Sequence, residues 1–101
     1  MSRLIITADD KLYLRLACKT EDKGGLPQRA DNVLDGFRLA TSQQVEMIVV
    51  DMSLHAADTL IETLRSRRAT AGIPLYVVKS EGRLPFELRR LCTDVLEAGT
   101  L

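Results

Sequence analysis

The sequence has few of the residues that mark several specialised classes of protein. It contains no tryptophan and only two cysteines, and its 14 lysines and arginines equal its 14 aspartates and glutamates. Cys18 and Cys92 lack the spacing of a zinc or redox site and the density of a disulfide scaffold, so we expect both to be reduced and structural. Zero formal net charge removes the broad attraction that nucleic acids or membranes would need, and we expect direct binding to neither.

Long apolar runs are also missing. No stretch approaches the roughly 18 apolar residues of a membrane-spanning helix, and the N-terminus does not resemble a signal peptide. We therefore expect a cytoplasmic protein. The chain is 46% hydrophobic and 28% charged, which is typical of a soluble globular protein. Its length predicts one small domain over residues 1–101.

The middle of the chain alternates between buried strands and an amphipathic helix. Residues 45–50 form a nearly continuous apolar run, typical of a strand buried on both faces of a parallel sheet. The next segment has the apolar spacing of a helix, at Ala57, Leu60, Ile61 and Leu64. Residues 74–78 then predict a second buried strand, with proline at its first position. A strand–helix–strand unit of this kind predicts an α/β sandwich.

The flanking segments extend the same alternation. They predict further strands at 3–7, 26–30 and 94–98, a helix over 32–43 and a short helix around Leu84, Leu88 and Leu91. Residues 12–18 alternate as a strand would, but we favour a helix because parallel neighbours need a crossover connection. Residues 24–30 have few apolar side chains, so the second strand is predicted to be an irregular edge strand.

Acidic residues follow two of the predicted strands. Asp9 and Asp10 come after the first strand and Asp51 after the third, and in open α/β sheets ligands bind beyond these carboxyl ends. Converging carboxylates would repel one another, so Mg²⁺ is a natural counter-ion, and one carboxylate could accept a phosphoryl group. The competing interpretation is that Asp9 or Asp10 caps a helix and Asp51 merely ends a strand.

The order of these segments resembles the receiver domains of bacterial response regulators. The acid pair precedes Asp51 by 51 − 9 = 42 residues, and residues 51–59 are similar to the stretch after the phosphoaccepting aspartate of that family. Residues 73–82 are similar to its fourth strand and loop, and residues 93–99 to its fifth strand. The resemblance implies a flavodoxin-like, doubly wound sheet of five parallel strands.

Carried over position by position, the resemblance makes Asp51 the phosphoacceptor. Asp9 and Asp10 would be the metal-binding acids, with Mg²⁺ as the cofactor, and the backbone carbonyl of Ser53 a further ligand. The chain also departs from the family. Lys79 stands at the position of the family's switch hydroxyl, although a one-residue shift would put Ser80 there. Val95 stands at the position of its switch aromatic, and Ala98 at that of the lysine of its fifth strand.

These departures predict a pseudo-receiver, a signalling module that is not an enzyme and acts through protein contacts. Its partner would be another protein, such as a sensor kinase, or an attached output domain. Because only three residues follow the fifth strand, the fifth helix is expected to be missing or truncated, and exposed apolar surface then predicts a homodimer. The predicted interaction face comprises Leu84, Leu88, Arg89, Arg90, Leu91 and Val95.

Two further expectations concern the acid cluster. The ammonium group of Lys79 is expected to reach Asp9, Asp10 and Asp51 and to compensate their charge in place of the metal. The alternative to the pseudo-receiver is a functional phosphoacceptor domain, which would use Asp51 with Mg²⁺ held by Asp9 and Asp10.

Overall fold

A computed structural model describes residues 2–20, 27–79 and 82–100 of the chain. Its elements are β1 (Ser2–Ile6), α1 (Asp10–Thr20), β2 (Gln28–Ala30), α2 (Val33–Ser42), β3 (Val45–Asp51), α3 (Ala57–Ser66), β4 (Leu75–Lys79), α4 (Phe86–Arg89) and β5 (Asp94–Glu97). All strand pairs are parallel, in the order β2-β1-β3-β4-β5. The predicted flavodoxin-like sheet of five parallel strands is confirmed.

The two central strands, β1 and β3, form the most buried part of the sheet. Their registers pair Leu4 with Ile48, Ile5 with Val49 and Ile6 with Val50. All six of these side chains are almost fully buried. Because successive side chains of a strand point to opposite faces, the same two strands contribute to the core on both sides of the sheet.

The structure decides the two segments whose sequence signals were divided or weak. Residues 12–18 lie within α1, so the predicted helix is confirmed: Leu12 and Leu16, one turn apart, are buried against the sheet while Leu14 faces solvent. β2 has only three residues, as expected of an irregular edge strand. Residues 24–26 of that predicted segment lie outside the described residues.

The face of the sheet opposite α1 carries the larger core. The four predicted apolar positions of α3 are all buried there, which confirms the helical spacing. The Arg65 guanidinium of α3 donates hydrogen bonds to three backbone carbonyls, those of Leu91 at 2.6 Å and of Ala71 and Ile73 at 2.7 Å each. This arginine therefore joins α3 to the segment that follows α4 and to the loop that leads into β4.

The apolar residues around α4 pack inward, which corrects the expectation that they stand exposed. Leu88 is buried, and Leu84, Leu91 and Val95 are partly buried against the larger core. The physical reason is the alternation of side chains along β5, which turns Val95 toward the helices on this face.

The less covered part of the sheet lies on the α1 face instead. Met47, Tyr76 and Leu96 are partly buried there, on β3, β4 and β5, and pack at the edge of the smaller core beneath α1. After β5 the described chain continues only as a short 3₁₀ turn, Ala98–Thr100. Among the helices that the structure describes, none is long and apolar enough to cross a membrane.

The contact between α2 and β1 generates a test of the packing. A Cβ atom added at Gly36 would lie 2.6 Å from Cδ1 of the fully buried Ile6. Gly36→Ala would raise helix propensity, yet we expect it to lower the free energy of unfolding by about 1–3 kcal/mol, since the fully buried Ile6 would have to shift within the core. Urea denaturation measures this change.

Gly72→Ala is the matched control, because no atom lies within 4 Å of a Cβ built there. Its effect should stay within about 0.5 kcal/mol. A stability for Gly36→Ala equal to or above that of the native chain would contradict the packing of α2 on β1.

Candidate functional site

Asp51 is the buried carboxylate at the carboxyl end of β3. Its side chain accepts three hydrogen bonds, and its residue is only 6% exposed. Oδ1 accepts from the backbone N–H of Ser53 at 2.9 Å and from its hydroxyl at 2.7 Å, while Oδ2 accepts from the Thr7 hydroxyl at 2.7 Å. The donors therefore come from Thr7, which follows β1, and from Ser53, which follows β3.

Thr7 reaches Asp51 because of the register between the central strands. Ile6 is opposite Val50, so the next residue of each strand, Thr7 and Asp51, also lie side by side. Thr7 is fully buried, and its own N–H donates to the carbonyl of Ala30 on β2 at 2.8 Å. Hydrogen bonds thus hold both the backbone and the side-chain hydroxyl of Thr7 in place beside Asp51.

The acid pair lies at the start of α1, and both of its side chains bind partners other than Asp51. Oδ1 of Asp9 accepts from the N–H groups of Lys11 at 2.9 Å and Leu12 at 3.2 Å, which is the geometry of a helix cap. Asp10 lies in the first turn and forms an ion pair with Arg29 of β2 at 2.7 Å. The capping interpretation of Asp9 therefore describes the structure.

These positions test whether the acids fit a magnesium ion. Within residues 2–20, 27–79 and 82–100, no three acidic, histidine or cysteine side chains come together as a metal site. Each acid has a different partner: Asp9 caps α1, Asp10 pairs with Arg29, and Asp51 accepts from Thr7 and Ser53. Ser53 contributes its N–H and hydroxyl to Asp51. As these side chains stand, they do not form the three-acid magnesium site expected from the sequence.

Lys79 also lies differently from the expectation. Its ammonium group donates to Oε1 of Glu97 at 3.1 Å and to the carbonyl of Gly82 at 2.9 Å. The cause is again strand register, since Lys79 is opposite Glu97 on β5 whereas Val78 is the residue opposite Asp51. Lys79 therefore pairs with a carboxylate of β5 and not with Asp9, Asp10 or Asp51.

The remaining switch positions carry no charge toward Asp51. Ala98, at the position of the family's lysine, has no polar side chain, and Val95 packs inward. Ser80, the alternative to Lys79, lies outside the described residues.

The two cysteines have different surroundings. Cys18 is exposed on α1, and Cys92 is buried after α4, where its thiol donates to the carbonyl of Leu88 at 3.2 Å. Burial raises the pKa of the Cys92 thiol, against the smaller opposing effect of the Arg65 and Arg89 guanidinium groups. A neutral, buried thiol of this kind is a structural group.

Three basic or aromatic side chains define the outer surface of α4. Arg89 is 3.7 Å from Asp94, while Arg90 points to solvent. Phe86 is 76% exposed and lies one helical turn before Arg90, the residue that directly follows α4, so both lie on the side away from Leu88. Of the predicted interaction face, the arginines are exposed and the apolar residues are not.

Sequence reasoning missed Thr7 and Phe86. Thr7 is the first residue beyond the apolar run of β1, and nothing in its local sequence marks it. Only the register of β1 with β3 places it beside Asp51. Phe86 was detectable from spacing: it lies two positions before Leu88, which on a helix is the opposite side.

No protein-family model and no curated protein matches the sequence. Solved structures do match it. The chain is similar to a response regulator protein from Burkholderia multivorans, with 26% identity, a TM-score of 0.68 and coverage of 99% of this chain and 89% of that one. It is also similar to a sensor protein from Polaromonas sp. JS666, with 21% identity, a TM-score of 0.80 and coverage of 95% and 82%.

A third neighbour is the N-terminal domain of a response regulator receiver protein from Methanoculleus marisnigri JR1. It shares 14% identity and a TM-score of 0.79, over 95% of this chain and 82% of that one. The sheet order and these neighbours agree with the sequence resemblance. The chain has the fold of the receiver domains of response regulators.

Proposed function

We propose that this chain is a receiver-like signal-transduction module that acts through protein–protein contacts, not as an enzyme, and that its phosphorylation switch is impaired. The observation that carries the proposal is the pairing of the basic side chains at the carboxyl edge of the sheet. Lys79 binds Glu97 and Arg29 binds Asp10, so both cations are committed to acids other than Asp51.

Charge is central to the chemistry that a phosphoacceptor needs. The transition state of phosphoryl transfer carries negative charge on its equatorial oxygens, and positioned cations supply most of its stabilisation. Asp51 has hydroxyl and amide donors around it, and the acids expected to hold Mg²⁺ point elsewhere. This arrangement supports weak phosphorylation at Asp51.

Contact with another protein would then carry the signal. One structural neighbour is a response regulator receiver modulated diguanylate cyclase from Pelobacter carbinolicus, in which a receiver accompanies an output activity. By analogy, the partner of this chain would be an attached output domain or a sensor kinase. The surface of α4, with Arg90 and Phe86 exposed, supplies a cation and an aromatic ring, which are both common in protein interfaces.

A second copy of the chain is the other proposed partner. Met47, Tyr76 and Leu96 form a partly exposed apolar strip on the α1 face of the sheet. A homodimer through this strip would bury it, which replaces the earlier expectation that Leu84, Leu88, Leu91 and Val95 form the contact.

The first test of this function is incubation with acetyl phosphate and Mg²⁺, followed by intact mass measurement. We expect substoichiometric gain of a phosphoryl group by the native chain, and Mg²⁺ affinity no tighter than millimolar in a calorimetric titration. Lys79→Thr should leave the Mg²⁺ affinity unchanged, because Lys79 is bound to Glu97 and not to the acids.

Asp51→Asn is the control that assigns any phosphoryl group to Asp51. Stoichiometric uptake by the native chain that Asp51→Asn abolishes would refute the impaired switch. It would establish the functional phosphoacceptor instead.

The second test concerns self-association. Sedimentation equilibrium at micromolar concentrations should show a reversible dimer, and Leu96→Lys should shift it toward monomer by placing a charge in the apolar strip. Leu34→Lys is the matched control, since Leu34 is exposed on α2, away from that strip. A monomer at every concentration, or equal effects of the two variants, would rule out this dimer.

A further inference from the structure

We propose that the hydroxyl of Thr7 keeps the carboxylate of Asp51 closed to electrophiles, and so acts as a positioning residue that suppresses phosphorylation. This inference rests on the proposed function, because it explains how the switch of the same site is restrained. It concerns a residue outside the acid pair and outside the positions that the family resemblance assigns.

The hydrogen bonds of Asp51 identify the oxygen that Thr7 controls. A carboxylate oxygen has two lone pairs. On Oδ1 both accept from Ser53, whereas on Oδ2 one accepts from Thr7. Among these contacts, Oδ2 is therefore the oxygen with a lone pair left to attack an incoming group, and the Thr7 hydroxyl is the group that binds it.

The direction of the Thr7 hydroxyl is also determined by its contacts. Its oxygen accepts the backbone N–H of Asp9 at 3.1 Å, so the hydroxyl proton points to Asp51 Oδ2 at 2.7 Å. Asp9 in turn caps α1 through its side chain. A chain of hydrogen bonds thus runs from the N-terminus of α1 through Thr7 to Asp51, and the helix holds the hydroxyl in place.

Burial strengthens the effect of this contact. Thr7 is 0% exposed and Asp51 is 6% exposed, so water has little access to replace the hydroxyl. In such surroundings a hydrogen bond is electrostatically stronger than in water. The lone pairs of Oδ2 are consequently less nucleophilic, and the threonine side chain fills the space beside them.

The reaction that Thr7 opposes is transfer from an acyl phosphate. Asp51 Oδ2 would form a bond to phosphorus while the bond from phosphorus to the acyl oxygen breaks, and the acyl group leaves as a carboxylate. The Thr7 hydrogen bond stabilises the negative charge on Oδ2, and that charge falls as the bond to phosphorus forms, so the contact weakens along the reaction and raises its barrier. Removing the hydroxyl removes this increase in the barrier.

The experiment compares three chains under identical acetyl phosphate and Mg²⁺ concentrations. Thr7→Val keeps the shape of the side chain and removes the hydroxyl, whereas Thr7→Ser keeps the hydroxyl. We expect Thr7→Val to take up phosphoryl groups at Asp51 about tenfold faster than the native chain, the rate factor of one hydrogen bond. Thr7→Ser should remain close to the native rate, which a merely structural role for Thr7 would not predict.

Thermal unfolding of each variant establishes that it is folded, and Thr7→Ala takes the place of Thr7→Val if valine disrupts the core. The ratio of rates decides the inference, whatever the native rate is. An unchanged or lower rate in the valine and alanine variants would overturn the role of Thr7 and leave the proposed function intact. Fast, stoichiometric uptake by the native chain would instead refute the proposed function. A serine variant as fast as the valine variant would also overturn the role of Thr7.

Discussion

The pairing of β1 with β3 is the interaction on which the rest of the structure depends. These neighbours place six almost fully buried aliphatic side chains in the middle of the sheet, and every helix packs on a face that they help to form. Burying an aliphatic side chain contributes roughly 1.5–3 kcal/mol, so this pair supplies much of the hydrophobic stabilisation of a small domain. The same register determines which polar residues meet at the carboxyl edge.

Most of the fold could be predicted because the spacing of apolar residues along the sequence distinguishes strands from helices. The apolar run of β3 and the helical spacing of α3 gave these elements nearly their observed bounds. The helix at residues 12–18 could not be decided from its own alternating pattern. It followed from topology, because two parallel neighbours require a crossover.

The candidate site could be predicted only in part, since the distance between residues along the chain does not determine their register in the sheet. Asp51 lies at the end of β3 as expected. The side chain of Asp9 does not bind Asp51, because Asp9 is the last of the three residues between β1 and α1 and caps the helix. Lys79 does not bind Asp51 because Glu97 lies directly opposite it on β5 and pairs with it. Both outcomes depend on local partners that spacing alone does not reveal.

The three carbonyl contacts of Arg65 have a mechanical consequence. With four residues, α4 is far too short to be stable by itself, so its position depends on the groups that hold it. A planar guanidinium with several donors can bind carbonyls from two segments at once, which the compact ammonium group of a lysine would do less well. Through this side chain α3, the helix that directly follows the Asp51 loop, is hydrogen-bonded to the residues just after α4, so a displacement of α4 would act on α3.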